Sequence, residues 1–153
     1  MSTIERICSH IAATPASTAI SQGTTKITYG ELGAAASALA RAMRERGVGA
    51  GSRVAITGSR SPRLVVAQVA CLLVGAAFVP IDAAAPAARR ADLVRLARPD
   101  AIVDADATLS ADEYDAPVIT FPVSTSRGGT VRPPRTDPDR PVYVIFTSGS
   151  TGR

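Results

Sequence analysis

The hydrophobic and polar positions of this chain divide it into alternating short strands and helices. Ile4, Ile7, Cys8 and Ile11 recur at helical spacing and predict an amphipathic helix over 3–12, ended by Thr14-Pro15. Residues 18–21 and 26–28 alternate around a Gln-Gly-Thr-Thr turn and predict a β-hairpin. Behind it, Leu32, Ala36, Leu39 and Met43 form one helical stripe, with Arg41, Arg44 and Glu45 off it. Thr28 and Glu31 stand at capping-box spacing and Gly47 is the natural stop, so a helix is predicted over 29–46.

The middle of the chain is more apolar. Residues 53–57 predict a strand, and Ser61-Pro62 supplies an N-cap followed by proline at the first helical position. From Leu64 to Val74 only Gln68 is polar, so this helix is predicted to be buried on several sides. A membrane span is the rival, but Gly75 and Pro80 interrupt a run well short of the roughly twenty residues a span needs. Residues 76–80 predict a strand running into Pro80-Ile-Asp82. Pro86 opens a helix whose Leu93, Val94, Leu96 and Ala97 are expected inside, with Arg89, Arg90 and Arg95 in water, and Pro99 ends it. Residues 101–103 and 117–120 are two more strands, flanking an acidic turn-rich stretch, and 124–141 is predicted to be a flexible surface loop. Strands alternating with helices predict an α/β fold built on a mostly parallel sheet with flanking helices.

Composition narrows the class. The chain has 153 residues, enough for one core and one domain. Aromatic residues make up only 4% and tryptophan is absent, so the core must be aliphatic. The net charge of +4 divides into +7 over residues 1–99 and −3 over 100–153. The basic residues fall on helix flanks and loops without interleaved aromatics, which predicts a solvated surface and no nucleic-acid partner. Cys8 and Cys71 have no metal-ligand spacing and read as small buried hydrophobes, and His10 has no partners for catalysis or ligation. No metal site is predicted. The first residues lack a signal-peptide layout, which predicts a cytoplasmic protein.

The chemistry concentrates in the last eleven residues. Tyr143 to Phe146 is a β-branched and aromatic run that predicts a strand. It opens into Thr147, Ser148, Gly149, Ser150, Thr151 and Gly152. Glycines let successive backbone N–H groups converge, and hydroxyls add donors that suit phosphate oxygens. The spacing is not that of a Walker A loop, because Gly149 and Gly152 are too close and no lysine follows.

Three blocks together resemble the adenylate-forming enzymes, and among them the amino-acid adenylation domains of nonribosomal peptide synthetases. Ile27-Thr-Tyr-Gly-Glu-Leu32 is similar to the family's opening to a helix. Cys71-Leu-Leu-Val-Gly-Ala-Ala-Phe-Val-Pro-Ile-Asp82 is similar to its second block, and Tyr143 to Gly152 to its phosphate-binding signature. Arg153 stands where that signature has Lys or Arg before Pro-Lys-Gly. The resemblance implies that Thr147 to Gly152 wrap the β- and γ-phosphates of ATP, with Mg, while a carboxylate attacks the α-phosphorus. Thr28, Glu31, Gly75, Pro80 and Asp82 are explained by capping, helix termination, strand punctuation and turn formation.

The resemblance covers the first part of the family's large N-terminal subdomain and implies a truncated domain over 1–153. The family's catalytic Lys, ribose-binding Asp, magnesium-binding Glu and substrate pocket have no counterpart here, so no catalytic residue is assigned. The chain alone is expected to bind ATP weakly and to be inactive. It is expected to need a second polypeptide, or self-association, to cover apolar faces around Leu64–Val74. A split-enzyme subunit is one form of that reading. The alternatives are an interaction module recruiting a carrier protein or tailoring enzyme, and a simple nucleotide-binding domain.

Overall fold

The computed structural model of the chain describes residues 2–110, 113–121, 132, 134, 137 and 139–146. Helix α1 (Thr3–Ala13) leads into a hairpin of β1 (Thr18–Gln22) and β2 (Thr25–Thr28). Helix α2 (Tyr29–Glu45) follows, then β3 (Arg53–Gly58), α3 (Pro62–Val74), β4 (Ala77–Asp82), α4 (Ala87–Ala97), β5 (Ala101–Asp104) and β6 (Val118–Thr120). The last four strands form one parallel sheet in the order β4-β3-β5-β6.

That order places the helices. The chain steps from β3 outward to β4, then returns past β3 to β5. Crossovers keep one hand, so reversing direction sends successive helices to opposite faces. Side chains along β3 and β5 divide between the faces by alternation. Val54, Ile56, Ala101 and Val103 join a core with α1, α2 and α3, while Ala55 and Ile102 join a second core with Val79, Ile81 and the α4 residues Val94 and Ala97. Burial on both faces is what a parallel sheet requires.

Helix α3 is covered within the chain. Val66, Ala67, Val69, Ala70, Cys71, Leu73 and Val74 are buried by α2, α1, the hairpin and the sheet, leaving Val65 as its one exposed large apolar side chain. The expectation that Leu64–Val74 needs outside covering is therefore corrected: the hairpin and two preceding helices supply it. Arg44 also ties α2 to α3, its guanidinium donating to the Leu73 carbonyl at 2.8 Å. Both cysteines are free and buried, and burial pushes the Cys71 thiol up to about 12. His10 is exposed and stacks on Tyr29, ring centres 5.1 Å apart.

Capping follows the sequence in α2, and α1 has a capping box of its own between Ser2 and Glu5. Thr28 Oγ1 accepts from the Glu31 N–H at 3.2 Å, and the Glu31 carboxylate accepts from the Thr28 N–H at 2.8 Å. Those bonds hold the Glu31 carboxyl below its ordinary 4.5, the backbone donor contributing most. A lowered folded value stabilises the protein above the ordinary one and loses that effect as pH falls through the folded one. Thr28→Ala is expected to cost about 1 kcal/mol at neutral pH; it keeps the backbone donor but removes the hydroxyl that also donates to the Glu31 carboxylate at 3.0 Å, so the difference from the parent should shrink slightly in acid as Glu31 is protonated. Urea titrations at pH 7 and pH 3 check this. At α3 the pattern misleads in detail. Ser61 occupies the N-cap position, yet its side chain makes no capping bond and its buried hydroxyl has no hydrogen-bond partner among the described residues.

Two assignments in α4 are also corrected. Leu96 is 57% exposed, because it lies on the opposite side of the helix from Val94. Arg90, expected in water, shares the inward stripe with Leu93, Val94 and Ala97 and is half-buried. Arg98 ends α4 in a left-handed conformation at φ 45°, one residue before Pro99.

Candidate functional site

In a parallel sheet the carboxyl ends of all strands reach one edge, and ligands of open α/β sheets bind outside that edge where strand order reverses. Here the reversal lies between β3 and β5. Gly58 ends β3 at φ 149°, and a Cβ there would stand 2.7 Å from the Ala105 Cβ, so the two backbones meet closely. Ser59 follows, donating from its N–H at 2.6 Å and from its hydroxyl at 3.1 Å to the Asp106 carboxylate. Arg63, in the first turn of α3, donates to the Ala105 carbonyl at 3.0 Å and lies 5.7 Å from the centre of the Phe121 ring. Asp104 closes the β5 end: its carboxylate, 1% exposed, accepts from the N–H groups of Asp106, Thr108 and Leu109 at 3.1, 2.6 and 2.6 Å.

On the other side of β3, strand β4 ends at Asp82. Its outer neighbour is the stretch that leads to the predicted phosphate loop. The Phe78 N–H donates to the Val142 carbonyl at 3.1 Å, and the Val144 N–H donates to the Phe78 carbonyl at 3.0 Å. Tyr143 is thereby bridged to Phe78 in parallel, and their rings lie 6.0 Å apart. Val144 and Phe146 pack against the core formed with α4, while Val142, Tyr143 and Ile145 are 48%, 56% and 60% exposed. The strand predicted over Tyr143–Phe146 is thus a single bridge. Pro80 lies two residues beyond Phe78, on the same outward side, and has no N–H to contribute to the next rung of the ladder.

The six residues singled out for phosphate binding, Thr147 to Gly152, lie outside the described residues, as does most of the loop expected over 124–141. What is described is their approach. The chain runs beside β4 toward the edge where β3, β4 and β5 also end, the direction that a strand-to-phosphate-loop reading requires. A cleft of about 840 Å³, lined by Ile4, Leu72, Ala76 and Val142 among others, lies at the opposite, amino-terminal end of the strands. By the edge rule it is not the candidate site. Among the described residues no cluster of His, Cys, Asp and Glu could hold a metal ion, and no helix is long and apolar enough to cross a membrane.

The profile of a family described as AMP-binding enzyme matches residues 8–153. The chain belongs to the AMP-binding enzyme family. It is 39% identical over 153 residues to CymA of Salinispora arenicola (strain CNS-205), a probable non-canonical nonribosomal peptide synthetase, covering 93% of this chain and 2% of that protein. Among solved structures it resembles the nonribosomal peptide synthetase FmoA3 in its α-methyl-L-serine-AMP bound form. That match has a TM-score of 0.81 at 30% identity and covers 94% of this chain and 17% of that one. VinN, solved with L-aspartate, shares the fold with a TM-score of 0.82 at 22% identity, covering 99% of this chain and 42% of VinN. The chain therefore spans only part of each of these proteins, from 2% of CymA to 42% of VinN. The α/β architecture read from the sequence, a parallel sheet with flanking helices, is the one that the AMP-binding family shares.

Sequence reasoning missed Asp104, Asp106, Arg63 and Arg90. The acidic stretch from Asp104 to Asp115 resembles a solvated turn region, and nothing local shows that its first carboxylate is buried. Pro80 was visible, but its effect on the ladder depends on a neighbour more than sixty residues away.

Proposed function

We propose that this chain is the N-terminal part of an amino-acid adenylation domain of nonribosomal peptide synthesis, acting in the cytoplasm. The observation that carries the reading is the parallel alignment of Tyr143 on Phe78, which points the approach from Val142 to Phe146 toward the carboxyl edge of the sheet. There the backbone N–H groups and hydroxyls of Thr147 to Gly152 hold the β- and γ-phosphates of ATP, with Mg, as the substrate carboxylate attacks the α-phosphorus and pyrophosphate leaves. The named relatives, a peptide synthetase and a structure bound to an aminoacyl-AMP, support this substrate class. The remainder of the adenylation domain supplies the other catalytic and substrate-binding groups and covers the exposed side chains of Val142, Tyr143 and Ile145. Alone, the chain binds ATP weakly.

Amino-acid-dependent exchange of pyrophosphate into ATP tests the reading, using this chain together with the remainder of the domain. Replacing Thr147 and Ser148 together by alanine is expected to lower kcat/KM for ATP on the order of a hundredfold. Exchange that survives the double replacement intact, or no exchange with any amino acid, would overturn the assignment.

A further inference from the structure

We draw no further inference here: the strongest candidate, the apolar strip of Val142, Tyr143 and Ile145 exposed beside β4, carries nothing beyond the reading above, because nothing in the structure shows what covers it.

Discussion

Asp104→Ala is expected to destabilise the protein by about 3 kcal/mol. The carboxylate is buried at the end of β5 and closes the following turn through three backbone donors. Removing it leaves the N–H groups of Asp106, Thr108 and Leu109 without their acceptor in a region only partly open to water. Each such donor costs about 1–3 kcal/mol when fully buried, and water reaching the exposed Thr108 keeps the total well below three full penalties. The turn also carries Asp106, which holds the Ser59 N–H and hydroxyl beyond β3. Loss of Asp104 should therefore loosen both strand ends at the edge where ligands of such sheets bind. Chemical denaturation measures the first effect, and hydrogen exchange at Ser59 measures the second. An Asp104→Ala protein as stable as the parent would show that the carboxylate is dispensable to the fold.

Gly58→Val is expected to cost at least as much, about 3–5 kcal/mol, from two sources that add. At φ 149° a β-branched residue is strained, and its Cβ would lie 2.7 Å from the Ala105 Cβ. Neither side can yield cheaply, because Gly58 pairs with Asp82 of β4 and the Ala105 N–H donates to the Thr57 carbonyl at 2.9 Å. The variant should show a lower melting temperature and a changed environment at Ser59. Gly58→Ala meets the same Cβ contact with less bulk and should fall between parent and valine variant. Equal melting temperatures for the three proteins would refute the close-approach argument.

What the sequence disclosed and what it withheld divide by range. The capping box of Thr28 and Glu31, the left-handed stop at Gly75 and the stripe of Leu32, Ala36, Leu39 and Met43 depend on residues within a few positions of one another. All are present as read. The α/β class followed from alternation alone. The misreadings at Leu64–Val74 and at Tyr143 depend on distant partners, whereas those in α4 do not. Leu64–Val74 reads as under-covered until the β1–β2 hairpin is seen against it, and Arg90 reads as solvated because its acceptors, the Ala83 and Ala85 carbonyls, carry no side-chain signature. Beyond the bridge at Tyr143, the facing strand offers a proline where a donor would stand. For the candidate site, the approach from Val142 to Phe146 is described, while Thr147 to Gly152 were legible only as a motif.

The proline in β4 has a further consequence in time. Synthesis delivers β3, β4, β5 and β6 well before Val142 emerges, about 1–5 s earlier for roughly 25 residues at cellular rates. During that interval the outer margin of β4 faces the crowded surroundings with unpaired backbone groups, the usual starting point for wrong pairing between nascent chains. Pro80 withholds a donor and Asp82 places a charge on that same margin, so a foreign strand finds little to join. The single tie at Phe78 can then be read as the counterpart of that protection: the margin that resists strangers also accepts its own chain at only one point.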